Sequence, residues 1–268
     1  MTGRTQAPCD PRCIRVDSIR ANPNTAIVRL QRKDLKTMID GVRWLADTSP
    51  ANWINPLLHP PFVDTGSIVP VGFESYCRIF HPIRSRELGS GMITWAELAT
   101  RNDRHVHPEM QFHAISTPRG TPSPQTYERG IGPEWGSLPL EERFELIRQL
   151  GPATQTRERC WFLMWEGFGD VSFGSAARVE IGQRDYAMYA GPIEAAAISL
   201  NDRVPSNSPN MWWPEDRAWI VVTDIDFAWT YVGGHEDIIG RLVSSQTLEA
   251  FPCQITDKPF YNSDTLNK

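Results

Sequence analysis

The sequence predicts an α+β fold: a mixed or antiparallel sheet with about five helices, in a single compact domain. Two features of the order of elements point there. Helical and strand-like runs do not alternate regularly, and two pairs of strand-like runs have no helix between them. Composition agrees, because 40% hydrophobic and 22% charged residues in a chain of 268 are ordinary globular values.

Residues 1–27 mix Pro, Asn, Arg and Thr with no sustained period and read as a loosely ordered basic lead-in to a domain spanning 28–268. The first helix is expected after Asp34, where Leu35, Met38, Ile39, Val42 and Leu45 recur at helical spacing. Thr94-Trp95-Ala96-Glu97 is a capping box and starts the second. The third opens at Leu138-Pro139, buries Leu140, Phe144, Ile147 and Leu150, and stops at Gly151-Pro152. Pro192 starts the fourth through an alanine-rich stretch. The fifth follows Gly233-Gly234, where Glu236 and Asp237 suit the positive end of a helix. Strands are expected over 76–80, 110–116, 160–166, 186–189, 219–224 and 227–232, the last two as a tight hairpin or one bent strand. Two connections rich in Pro, Gly and Ser, 117–137 and 201–214, are long enough to be binding loops or lids.

A formal charge of -5 argues against general attraction to nucleic acid or to an anionic membrane. The charge is uneven: residues 1–50 hold nine Lys/Arg against five Asp/Glu, a net +4, which leaves -9 for the rest. No apolar stretch suggests a membrane span, and the five irregularly spaced cysteines fit free thiols in a reducing cytoplasm. Cys9 and Cys13 lack a second pair to complete a zinc site.

Three segments carry candidate chemistry. In the first, His105, His107, Glu109, Gln111 and His113 alternate with Val106, Pro108, Met110 and Phe112. In an extended strand the polar set would share one face. His105 and His113 would then lie roughly 26 Å apart, so one divalent metal could meet only neighbours such as His105, His107 and Glu109. The competing reading is a solvated edge strand marked by Pro108. In the second, Phe62-Val63-Asp64-Thr65-Gly66-Ser67 resembles the active-site loop of aspartic proteases, and Ile238-Ile239-Gly240-Arg241 a later segment of the retroviral type. With a single Asp-Thr-Gly, the two carboxylates would have to come from a homodimer. The bland reading is a turn.

The third is the aromatic cassette from Met211 to Gly234. Trp212 and Trp213, read as lying on the long loop, could anchor a protein partner together with Arg217. Asp224 and Asp226 could bind a cation or a cationic group, or simply form a turn, and Arg217 could pair with Glu215 and Asp216. Core packing of the tryptophans is the alternative.

Tyr76–Pro82, the Trp95 helix start, Met110-Gln111-Phe112, Cys160-Trp161-Phe162 and above all Ser208-Pro-Asn-Met-Trp-Trp-Pro-Glu-Asp-Arg-Ala-Trp219 through Gly234 resemble a family of uncharacterised bacterial proteins from high-GC genomes. That resemblance implies no activity. The architecture is also similar to the SUKH immunity superfamily, compact α+β proteins that bind and neutralise toxins. The functional expectation is a non-catalytic protein-binding or regulatory, immunity-type protein. A metal-dependent or acid–base enzyme on His105, His107 and Glu109 is the alternative, and a homodimeric protease at Asp64 the third.

Overall fold

The computed structural model describes residues 43–84, 91–121, 132–169, 171–198 and 207–267. The α+β class is as the sequence predicts, and every strand pair among the described residues is antiparallel. The chain runs through β1 (Arg43–Trp44), β2 (Ser75–Phe80), β3 (Ile83–Arg84), β4 (Met92–Ile93), α1 (Trp95–Arg101), α2 (Phe112–Ile115) and β5 (Gly132–Pro133). It continues through α3 (Leu140–Leu150), β6 (Cys160–Trp165), β7 (Arg178–Ile181), β8 (Arg184–Gly191), β9 (Met211–Pro214), β10 (Trp219–Val222), β11 (Trp229–Gly234), α4 (Glu236–Val243) and β12 (Glu249–Cys253).

The main sheet has the order β1-β8-β6-β9-β10-β11-β2-β12, with β7 also paired to β8, while β4-β3-β5 form a small second sheet. Both faces of the main sheet are apolar, because alternate residues of each strand pack into different cores. Phe162, Tyr189, Trp212, Trp219 and Val232 lie under α3 and α4. Leu163, Met188, Trp213, Ile220 and Trp229 lie under α1, α2 and the segment 51–69. Burying both faces explains the near-continuous hydrophobic runs of β6 and β10.

Several helix signals hold. Thr94 Oγ1 accepts from the Glu97 amide as a capping box requires, but Glu97 pairs with Arg101 instead of reaching back. The next free amides of α1, those of Trp95 and Ala96, donate to the Glu249 carboxylate at 2.6 Å each, which ties the helix to β12. α3 begins at Leu140 and gives way at Gly151, as expected, but with a different inward face: Leu146, Ile147 and Leu150 are buried while Leu140 and Phe144 are exposed. The alanine-rich stretch makes only a 3-10 turn, Ile193–Ala197. Most of the helix expected after Asp34 lies outside the described residues, but Arg43–Trp44 is a strand and not its last turn. The hairpin β10–β11 forms.

Two expectations are corrected. Residues 110–116 are not a strand: Met110 and Gln111 lead into α2. The loop expected over 201–214 gives way to β9, whose Trp212 and Trp213 sit between β6 and β10. Asn210 sets that strand. Its amide donates to the Leu163 carbonyl, its Oδ1 accepts from the Trp165 amide and its Nδ2 donates to the Thr223 carbonyl, so a buried polar side chain is satisfied from both neighbours. Arg78, in the middle of β2, is also buried. It donates to the Pro108 and Met110 carbonyls and lies 3.7 Å over the Trp229 ring. Cys77, Cys160 and Cys253 are free and buried, and burial pushes the Cys160 and Cys253 thiols up to about 12; Cys9 and Cys13 lie outside the described residues. Among the described residues no helix is long and apolar enough to cross a membrane.

Candidate ligand-binding cleft

A cleft of about 860 Å³ opens on the side of the sheet that carries α1 and α2. Its floor is Tyr186 of β8, Met211 of β9, Trp229 of β11 and the turn Asp224 to Phe227. One wall is the loop 55–68, the other is formed by Gln111, Phe112 and His113 with residues 259–261, and the β7–β8 turn closes one end.

The loop wall is built around Ser67. Its hydroxyl donates to the Pro60 carbonyl at 2.6 Å and accepts from the Val63 and Asp64 amides, pulling the chain into a tight bend. Phe62, at the tip, is forced to φ 63, a left-handed conformation that costs a bulky residue about 1–2 kcal/mol. Its ring gains no packing in return, being 76% exposed. Behind it Asp64 is buried and its Oδ1 lies 2.8 Å from His59 Nδ1. Gly66 makes room for that imidazole, since a Cβ there would lie 2.4 Å from the ring. With Nδ1 engaged by Asp64, Nε2 has no protein partner among the described residues.

The opposite wall depends on the histidine stretch, though not as the sequence suggests. Residues 104–107 are irregular, and their polar groups hold the C-terminal segment. His107 Nε2 and the Gln111 amide bond to the two oxygens of Asp264, at 3.0 and 3.1 Å. The His105 backbone exchanges two hydrogen bonds with the Asn267 side chain, and Arg104 reaches the Asn267 carbonyl. Burial alone would raise the Asp264 pKa, but the bonds from His107, Asn267 and Gln111 outweigh it and hold the carboxyl at about 2. So fixed, the segment presents Tyr261, whose ring stacks on His113 at 3.7 Å.

The floor carries the polar groups. Arg184 Nη2 contacts Asp226 at 2.5 Å and Asp224 at 3.5 Å. Burial pushes the Asp224 carboxyl above its ordinary value. Tyr186 is only 2% exposed, lines the cleft, and its hydroxyl has no protein partner among the described residues. Phe227 stacks on Trp229 at 4.4 Å. Trp135 stands over this turn because Gly136, at φ 75, lets its backbone approach the Ile225 carbonyl, which would lie 2.7 Å from a Cβ. The segment carrying Trp135 is held by His81, whose Nδ1 donates to the Glu134 carbonyl and whose Nε2 accepts from Thr230. Burial lowers His81 to about 4, so it is neutral there.

The sequence candidates are thus redistributed. His105, His107 and Glu109 do not share a strand face: His105 Nε2 meets Arg119, His107 meets Asp264, and Glu109 accepts from the Lys258 amide. Among the described residues no three His, Cys, Asp or Glu side chains are placed to hold a metal. Trp212 and Trp213 are each 1% exposed, so they are core and not a surface anchor. Arg217 is exposed at φ 54 with its guanidinium over Trp53; Glu215 pairs instead with Arg159, and Asp216 accepts from Thr154. Asp64 faces His59, while Ile238 and Ile239 lie in α4 under the other face of the sheet, so the two protease-like segments do not meet. Asp224 and Asp226 alone reach the cleft as sequence suggested, as a turn with a cationic partner in Arg184. Phe62 and Ser67 of the protease-like segment also line the cleft, in another role, while sequence reasoning missed His59, Trp135, Arg184, Tyr186 and Tyr261. Their only shared signal is that each flanks a Pro or Gly turn or a strand end, which is too common to select them.

Compared with known proteins, the chain matches no family model, no curated protein and no solved structure.

Proposed function

We propose that this protein works by binding a small organic molecule in the cleft. The observation that carries the reading is Phe62: a bulky side chain held at positive φ and left exposed at the mouth of an apolar cavity. Such strain persists where surrounding structure imposes it, and it concentrates at ligand clamps. Its setting supports the same conclusion. The volume lies within the usual range for small-molecule sites, and the lining is mostly aromatic and aliphatic with a few convergent polar groups.

The test is retention of ligand. Purified protein is incubated with a pool of cellular metabolites, and bound species are read by native mass spectrometry for the wild type, Phe62→Ala and Tyr261→Ala. The wild type should retain a discrete mass that both variants lose while melting normally. Equal retention by all three would place binding elsewhere and sink the proposal.

A protein-partner reading has one observation in its favour. Phe62, Trp135 and Tyr261 are all more than half exposed around one opening and could grip a partner's side chain. In that case the same two variants lose a protein and not a metabolite.

A further inference from the structure

The polar atoms left over in the cleft have a common character. His59 commits Nδ1 to Asp64, which leaves Nε2 without a protein partner among the described residues. Gln111 donates from Nε2 to Ser263, and its Oε1 can still accept. Asp224 and Asp226 bring two carboxylates against the single guanidinium of Arg184. The deeply buried Tyr186 hydroxyl, without a protein partner among the described residues, can accept as well as donate. Among the described residues Arg184 is the one basic lining residue beside the two histidines, and burial lowers the pKa of His113, which favours its neutral form. Among the described residues the floor therefore sets two carboxylates against one guanidinium, a net negative charge. Around it stand the faces of Phe62, Trp135, Phe227 and Tyr261, and the negative face of an aromatic ring attracts a cation.

We propose that the ligand is an organic cation: a protonated amine carried on a flat or cyclic apolar group, with the ammonium at Asp226 and Asp224 and the ring between the rim aromatics. A hydroxyl in place of the ammonium would satisfy fewer acceptors and leave the excess negative charge unopposed. A carboxylate would be repelled by Asp226 and would have to displace it from Arg184.

The inference rests on the cleft being the binding site, and a matched series separates the two ideas. Phenethylamine, 2-phenylethanol and 3-phenylpropionate share a ring and differ in head-group charge. Each is titrated at neutral pH against 15N-labelled protein, with the Trp135 indole resonance assigned by its loss in Trp135→Phe. The amine should bind about tenfold more tightly than the alcohol, and the propionate more weakly than either. Asp226→Asn, at an exposed carboxylate, should bring amine and alcohol within about threefold of each other. Asp224→Asn should act in the same direction. Equal affinities for amine and alcohol in the wild type would overturn the cation inference and keep the cleft. An amine preference that survives both Asp variants would overturn it as well. If none of the three shifts Trp135 or any other cleft resonance, the small-molecule reading falls together with it.

Discussion

On the α3–α4 side of the sheet, Trp212, Trp219, Phe162 and Tyr189 interlock beneath two regular helices. Trp212 and Trp219 meet edge to face at 5.2 Å, and the Trp219 indole donates to the Leu150 carbonyl at the end of α3. On the other side, Phe227 and Trp229 stack just as closely, but the cover is made of loops and a C-terminal segment, and a cavity remains beneath them. Both sides are aromatic, and the open side is the richer, with eight buried aromatic residues against five. The difference is that regular helices can follow a sheet surface continuously, whereas the 55–68 loop and the 259–267 segment touch it at their anchoring points and span the space between. Close aromatic packing therefore does not by itself close a surface here; the kind of cover does.

The largest effect should come from breaking the closed side. Trp212→Ala should cost about 3–5 kcal/mol in denaturant unfolding, because a fully buried indole leaves a cavity. It should alter ligand retention only through that loss. Phe62→Ala, on the open side, should move stability by no more than about 0.5 kcal/mol while abolishing retention, so the pair of variants reads the contrast directly.

Next comes the anchor of the cleft wall. Asp264→Asn should cost about 2 kcal/mol, since it weakens charged hydrogen bonds inside a buried network, and should make residues 259–267 sensitive to protease. The carboxyl is held below its ordinary pKa of 3.8 at about 2. Its contribution is therefore fully present above the unfolded value and is lost as pH falls from about 4 toward 2. A wild type whose C-terminal segment stays protected at pH 2 would contradict this.

A dependence of opposite sign belongs to Glu249, which burial pushes up to about 7 against the pull of the Ala96 and Trp95 amides. An acid raised in the folded state penalises folding once it must ionise, so this group's penalty is absent below about pH 4.5 and complete above about pH 7. Glu249→Gln should flatten stability between those limits, as read by melting temperature across the range. The smallest effect is expected at Arg217, exposed and resting on Trp53. Arg217→Ala should lower stability by about 0.5–1 kcal/mol and leave the cleft untouched.

Much of the scaffold was legible. Capping at Thr94, the stop at Gly151 and the acidic start of α4 are local signals that the fold kept. The two large errors share a cause. Residues 105–113 alternate as a strand would, yet Pro108 lacks an amide and the polar groups found better partners in Asp264 and Asn267, more than a hundred residues away. Met211 to Pro214 follows a polar, proline-containing stretch, and only the fit of Asn210 between two strands shows where the loop ends. Asp224 and Asp226 were visible because they sit together in sequence. His59, Arg184, Tyr186 and Tyr261 were not, because only the sheet order and the C-terminal anchor bring them to one opening.

The position of β2 bears on how the chain reaches this state. It lies between β11 and β12, both from the last quarter of the sequence. During synthesis its two hydrogen-bonding edges stay open until most of the chain has emerged, an interval in which a bare Tyr-Cys-Ile-Phe run would invite pairing between molecules. Arg78 places a charge in the middle of that run. In the finished fold the same guanidinium is buried against Phe80 and Trp229, with Nη1 donating to the Pro108 carbonyl and Nη2 to the Met110 carbonyl. The side chain that breaks the apolar run of β2 is thus also the clasp that seats the cleft's second wall.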